Sequence, residues 1–477
     1  MTFRIRLSCV WLALALLSTG AAVSFAQTAI VSNAGVPGQS IPGTQGVEPY
    51  AGSVPSPLVQ GSLSISLQDA LDRGLKQNLG LLLSHEDVGA ARGERWQQLS
   101  ALLPQVTVAP YISASKLNFG ELGFITAPVP TINYSFFDSR LYVSQSLFNW
   151  QYINNTRAAT QNLASREYTY KDARDLVVLA VGYTYLQAIA AEARVQTAQA
   201  QVKTAQSIYD QASDQVKAGT SPAIDALRAK VELQTRQQQL IQAVNDLAIR
   251  KLTAARVIGL APGQEFELTD KSLYQPFVPM TVEEALQRAY ASRSDYRAAE
   301  ADVRAAELSR KAAIAGYLPS LSFDANYGAA SQHPSTATSV YDVRGTLTIP
   351  IFLGGRVHGD VLQADARLRQ GRERLENLRA QIDAEVRTAL LNLQSSAQQV
   401  TVALSNMDLA DQTLTQSTDR FSAGVTDSVE VVQSQEAVAS AHEQYISSLY
   451  SFNYSKIFLA RSLGLGEQGV KEFFKGK

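Results

Sequence analysis

Residues 65–78 read ISLQDALDRGLKQN and residues 280–293 read MTVEEALQRAYASR. At a constant offset of 215, Ala70 falls on Ala285, Leu71 on Leu286, Leu103 on Leu318 and Pro104 on Pro319. Further along the offset is 205, with Val195 on Val400, Gly219 on Gly424, Gly259 on Gly464 and Leu260 on Leu465. The chain is therefore two copies of one unit. The first copy is ten residues longer between the matched blocks, which reads as one insertion in one loop, where extra length is most easily absorbed.

Each copy runs in the same order. A helical stretch (about 67–101 and 282–316) reaches a Leu-Pro step, followed by a strand, a loop and a second strand. One very long helix (about 150–216 and 356–421), a short turn and a return helix (about 222–258 and 427–463) complete it. Val195, Ala198, Val202, Ala205, Tyr209, Ala212 and Val216 step by three and four, and Leu233, Leu240, Val244 and Leu247 answer on the return helix. The second copy does the same with Leu393, Val400, Leu404, Met407 and Leu414 against Val431, Val438, Tyr445 and Phe452. This is antiparallel coiled-coil spacing. A helix of some 66 residues spans roughly 100 Å at 1.5 Å per residue, about twice the reach of the shorter stretches. Two short helices end to end thus match one long one, and the result is a wall of rods.

The strands alternate. In 320–328, Leu321, Phe323, Ala325 and Tyr327 oppose Ser322, Asp324 and Asn326. In 341–351, Tyr341, Val343, Leu347, Ile349 and Ile351 oppose Asp342, Arg344, Thr346 and Thr348. The first-copy strands, 105–115 and 140–148, alternate less cleanly. Such alternation suits a strand between lipid and a watery lumen, and equally a half-buried sheet. Four strands cannot close a membrane barrel, whose smallest form has about eight, so a barrel here requires several chains.

Composition narrows the function. Lys plus Arg number 42 and Asp plus Glu 43, for a net charge of −1, which argues against nucleic-acid binding. Hydrophobic residues make up 45%, enough for a large core. Arg4 and Arg6, the apolar run Val10–Leu17 and Ser24-Phe25-Ala26 read as a secretory signal over 1–26. The single cysteine, Cys9, falls within it, so the exported chain has neither disulfides nor thiolate metal sites. After the signal no apolar stretch approaches the roughly 18–20 residues of a spanning helix. Membrane entry must then be by strands. A Pro/Gly-rich extended or disordered lead-in occupies 27–62, the repeats 63–263 and 280–466, an inter-repeat linker 264–279 and a tail 467–477.

The doubled Leu-Pro entries and the doubled hairpin tips, KAGTSPAIDALRAK (217–230) and SAGVTDSVEVVQSQ (422–435), complete a pattern covering about Leu63 to Gly466. That pattern resembles the outer-membrane efflux protein family, the TolC-like exit ducts of Gram-negative bacteria. The resemblance implies a mainly α chain that assembles as a homotrimer in the outer membrane. Each chain would give four strands to a twelve-stranded β-barrel continuous with an α-helical coiled-coil barrel in the periplasm. It implies no catalysis and no cofactor. A periplasmic adaptor and an inner-membrane pump of RND or ABC type are the expected partners, with outer-membrane lipid and no nucleic acid. Drug, toxic-compound or metal-ion efflux is the implied role, and protein secretion of type I is the alternative.

In the family the hairpin tips form the periplasmic mouth. By that correspondence Gly219 and Gly424 are tip glycines, and Lys217, Ala218, Thr220, Ala423 and Val425 join them as adaptor contacts. Asp225 and Glu430 fall on acids of the gate, while Phe421, Thr426 and Gln433 stand where a tyrosine, an arginine and a second acid are found. Those departures imply that helix packing replaces an ionic latch. A threefold ring of Asp225 and Glu430 would also attract cations, since like charges about 6 Å apart repel by roughly 3 kcal/mol at an effective dielectric near 20. The plainer account of both acids is helix-start residues favoured by the dipole.

Other signals are structural. His85, His333, His358 and His442 lack metal-ligand spacing, and Gly354-Gly355 fits a sharp strand-to-helix turn better than a phosphate loop. A periplasmic adaptor would carry a single hairpin within a strand-rich module. A structural trimeric coiled coil would carry one terminal anchor, whereas here strand pairs sit inside both copies.

Overall fold

A computed structural model describes residues 50–118, 123, 131–270 and 280–474. The signal segment and most of the lead-in lie outside them. The chain divides into two units, 1–44 and 45–477, and all that follows concerns the second.

Each repeat opens with a helix broken once. In the first, α1 (Leu67–Gln77) and α2 (Leu79–Ser100) meet at Asn78; in the second, α5 (Val282–Ser292) and α6 (Ser294–Ile314) meet at Arg293. The sequence reading of single helices over 67–101 and 282–316 is corrected here. Both joint residues are buried and take nearly the same extended backbone, ψ 125° and 124°. Gly259 and Gly464, which end the return helices with φ of +69°, press on these joints. A Cβ on Gly464 would lie 2.7 Å from the Arg293 backbone nitrogen, and one on Gly259 would meet Gln77 and the Val54 carbonyl. Glycine is required where the return helix abuts the break.

The long helices are α3 (Trp150–Lys217) and α7 (Arg356–Ser422), each folding back on a 35-residue partner, α4 (Ala223–Val257) and α8 (Ser428–Ser462). At 68 residues α3 reaches about 100 Å. It packs on α4 along one half and on α2 and α6 along the other, as α7 packs on α8 and α6. Alanines dominate these seams, including Ala188, Ala191, Ala205 and Ala212 in α3, so the backbones approach closely. One part of α3 is long and apolar enough to cross a membrane, contrary to the sequence reading; 67% of that window is buried within the chain, and it is core.

The segment 264–279 is more than a linker. It contributes β4 (Phe266–Leu268), which pairs in parallel with β1 (Leu63–Ile65) and closes the first repeat on itself. Asp270 fastens this ladder by accepting from the Leu67 N–H and the Tyr185 hydroxyl, both at 2.7 Å. The lead-in is anchored at its end, where Asn78 donates to the Tyr50 carbonyl and the Val54 N–H donates to that of Gln77. The tail contains a helix, α9 (Gly466–Phe474).

Where α9 begins, a charged knot joins the second repeat to α3. The buried Arg293 holds Asp295 at 2.6 Å and Glu385 at 2.7 Å, and Arg461 holds Asp172 at 2.6 Å. Asp175 lies beside Gly466, where even a Cβ would collide with the carboxylate. Burial, reinforced by Asp172 and Asp295 and opposed by Arg461, pushes the Asp175 carboxyl up to about 6.

Candidate functional site

The four long strands form one antiparallel sheet in the order β2 (Gln105–Asn118), β3 (Thr131–Phe148), β5 (Ser320–Ser331), β6 (Thr338–Thr348). β3 begins at Thr131, not near 140, and β2 and β3 have 14 and 18 residues against 12 and 11 in β5 and β6. The stretch between the paired strands has 12 residues in the first copy (119–130) and 6 in the second (332–337), so the loop holds most of the ten extra residues. Register explains the blurred alternation: apolar residues occupy even positions at Ile132, Tyr134 and Phe136, then odd ones at Phe137, Leu141 and Val143, with no bulge against β2.

Across the sheet the faces are distinct. One row runs Val108, Leu141, Tyr327, Tyr341, and another Val106, Val143, Ala325, Val343. On the opposite face run Thr107, Tyr142, Asn326, Asp342 and Gln105, Ser144, Asp324, Arg344. There Arg140 pairs with Asp138 at 2.6 Å over Gly328, a position without room for a Cβ. The apolar rows are solvent-exposed in the single chain, Val108 by 64% and Tyr341 by 78%. β2 and β6 are unpaired edges within the described sheet. An apolar outer face and two open edges are what a quarter-turn or third of a barrel presents before its neighbours close it.

At the far end of the helices the two tips are built alike. After α3, the Gly219 N–H donates to the Val216 carbonyl and the Thr220 N–H to that of Gln215; after α7, Gly424 donates to Phe421 and Val425 to Arg420. These are Schellman turns, and the glycines at φ +70° and +68° occupy the left-handed position each demands. Lys217, Ala218, Thr220, Ala423 and Val425 surround them, exposed.

Just behind each turn an acid sits at the third position of the return helix. Asp225 is buried; its carboxylate accepts from the Ser221 hydroxyl at 2.8 Å and, from the other hairpin, the Ser428 hydroxyl at 2.7 Å. Arg228 stands 3.7 Å away. Glu430 accepts from Thr426, from Arg420 at 3.1 Å and from Ser417 at 3.4 Å. Phe421 is buried with Ile208, Ala212, Ala229 and Val431, a cluster drawn from both hairpins.

The family assignment rests on both repeats. Residues 70–260 and 285–465 each match the outer membrane efflux protein family. The chain belongs to that family. It is 24% identical over 401 residues to the pyoverdine export outer membrane protein OpmQ of Pseudomonas putida, covering 81% of this chain and 84% of OpmQ. It is 23% identical to the alkaline protease secretion protein AprF of Pseudomonas aeruginosa, over 67% and 68% of the two chains. The solved structure of CusC superposes with a TM-score of 0.74 at 20% identity, covering 86% of this chain and 97% of CusC. This efflux protein is thus an outer-membrane channel and not an enzyme. It works as a trimeric exit duct with a periplasmic adaptor and an inner-membrane pump.

Within the efflux protein's single chain, Asp225 and Glu430 are not the free pair of charges pictured from sequence. Both are hydrogen-bonded at home, and Asp225 faces the other hairpin. Ser428, Ser221, Thr426 and Arg420 give the two acids polar partners beside the packing around Phe421. Sequence reasoning passed over Ser428 and Arg420. One signal was available: Ser221 and Thr426 are equivalent at the 205 offset, each four residues before an acid.

Proposed function

We propose that this duct carries small molecules outward and that its periplasmic mouth opens by parting the two hairpins within each chain. The observation that carries the reading is Asp225, buried at the start of α4 and held by Ser428 at the start of α8. A hydrogen bond to a charged acceptor contributes roughly 1.5–3 kcal/mol, and a buried carboxylate that loses it is left uncompensated. Ser428 is itself only 1% exposed, so the bond is shielded from competing water. Gly219, Gly424 and their exposed neighbours Lys217, Ala218, Thr220, Ala423 and Val425 offer two similar short ridges per chain to an adaptor. The acids behind them stand close enough for docking to strain the bond. A small-molecule cargo is favoured by the likeness to OpmQ, which extends over more of both chains than the likeness to AprF.

Single-channel recording in planar bilayers tests the mouth. Asp225→Ala and Ser428→Ala should each raise conductance, and the double variant should rise no further than the stronger single one. Unchanged conductance in both single variants would refute the role of this bond. For the cargo, the channel is expressed in cells lacking their own exit duct and scored for accumulation of a fluorescent dye and for secretion of a protease. Restored dye export without secretion is the expected result.

A further inference from the structure

We propose that the space between the two hairpins, roughly 20 Å behind the tips by helix rise, is a binding site for an organic cation with a compact apolar body. The inference does not rest on the reading of the mouth. The cavity holds about 350 Å³ and is bordered by α3, α4, α7 and α8, so all four rods of the chain contribute to it. Such a volume lies at the small end of the range that ligand pockets occupy.

Three observations give the site its chemistry. Ala200, Leu414 and Val438 provide an apolar floor. Gln435 also lines the cavity, is only 5% exposed, and has no hydrogen-bond partner among the described residues. Its amide oxygen and nitrogen open onto the cavity and are free to accept from and donate to a bound polar group. The third observation is the charge balance. Arg236 is buried and already committed, its Nε bonded to Glu232 at 2.6 Å and its Nη1 to Gln239 at 2.9 Å. Asp411, on the opposite wall, has only the His442 imidazole, whose Nε2 lies 3.2 Å from both carboxylate oxygens. The cavity therefore has a carboxylate available and no unpaired guanidinium, and an amide carbonyl that also accepts. An ammonium group donates to both acceptors at once, while its apolar body covers Leu414 and Val438. A carboxylate of the same shape would meet Asp411 as a like charge.

The test uses the full trimer in lipid nanodiscs and isothermal titration calorimetry at pH 7.5. Three probes share one cage: aminoadamantane, adamantanol and adamantane carboxylate. The expected order is ammonium, then alcohol, then carboxylate, with one ammonium bound per chain. Asp411→Asn should weaken the ammonium at least about tenfold, the loss of one charge-assisted hydrogen bond, and Gln435→Leu should weaken it similarly. Ala200→Phe, at an exposed position of α3 that leaves the helix seams intact, should abolish binding by filling the space. Equal binding of all three cages overturns the proposal. So does ammonium binding that survives Ala200→Phe and Asp411→Asn, or the absence of ammonium binding up to millimolar concentration.

Discussion

Replacing Asp175 by Asn should stabilise this channel at neutral pH. In the folded chain the Asp175 carboxyl titrates near 6 where an ordinary aspartate titrates at 3.8. Burial is the main cause, and Asp172 and Asp295 add to it while Arg461 opposes. A shift of about two units corresponds to roughly 3 kcal/mol per chain, at 1.36 kcal/mol per unit. The sign follows from proton binding. Between about pH 4 and 6 the folded state holds a proton that the unfolded chain has released, so this group's contribution falls as pH rises through that window. Above pH 6 the full cost of the buried charge is present; below 3.8 it is gone. Asn mimics the neutral acid, so it removes the cost at pH 7.5 and gains little at pH 4. The assay is thermal denaturation of the detergent-solubilised trimer, followed by circular dichroism at several pH values for both proteins. Because Asp175 lies against Gly466 at the start of α9, limited proteolysis of the C-terminal helix should show the same trend. A variant that is less stable at pH 7.5, or a stability gap that does not change with pH, would refute the reasoning.

Asp172→Asn should act in the same direction, because burial also raises the Asp172 carboxyl although Arg461 at 2.6 Å opposes it, and the gain should be smaller since Arg461 loses that contact. Arg293→Met should cost roughly 3–5 kcal/mol by leaving Glu385 without its cation and Asp295 with only Arg461 at 3.8 Å, visible as a large fall in melting temperature. Gly464→Ala should be far more damaging than Gly424→Ala. Both share a left-handed φ worth about 1 kcal/mol of strain to alanine, but only Gly464 also faces backbone at 2.7 Å. In the sheet, Gly328→Val should prevent trimer formation on semi-native gels, since its Cβ would fall 2.1 Å from the Ser139 carbonyl oxygen.

Repeats, rods and strands were legible in the sequence because each depends on period. Alanine and leucine recurring every three and four residues specify a helix wherever they occur, and the offsets of 215 and 205 expose the duplication without reference to any fold. The breaks at Asn78 and Arg293 were not legible. Nothing in either local sequence forces an extended ψ; the return-helix glycines fill the gap from some 170–180 residues away. The start of β3 was missed for a different reason. Tyr134 and Phe136 put aromatic groups on the face that Asp138, Arg140 and Tyr142 share, so apolarity changed sides while the register did not. At the tips the glycines and acids were evident from their doubling, but the Asp225 to Ser428 bond was not, because it joins residues 203 apart.

The comparison of the two repeats separates what geometry demands from what the seam demands. Backbone devices recur with little change: the extended joint, the left-handed glycine that caps the return helix, the Schellman tip and the hydroxyl-to-acid contact behind it. These follow from folding a long helix back on a shorter one, a problem each repeat solves alone. Side chains diverge where one repeat meets its surroundings. The joint residue is Asn78 in the first copy, satisfied by the lead-in carbonyl of Tyr50, and Arg293 in the second, which reaches Glu385 on α7. The acid is the short Asp225 where it must fit between the hairpins and the longer Glu430 where it turns to Arg420 on its own. A duplicated chain assembled around a threefold axis brings together six similar hairpins, two from each chain. Within the chain, the bond that crosses between hairpins is found on only one of the two acids, because the shorter Asp225 fits between the hairpins while Glu430 is held by Arg420 of its own.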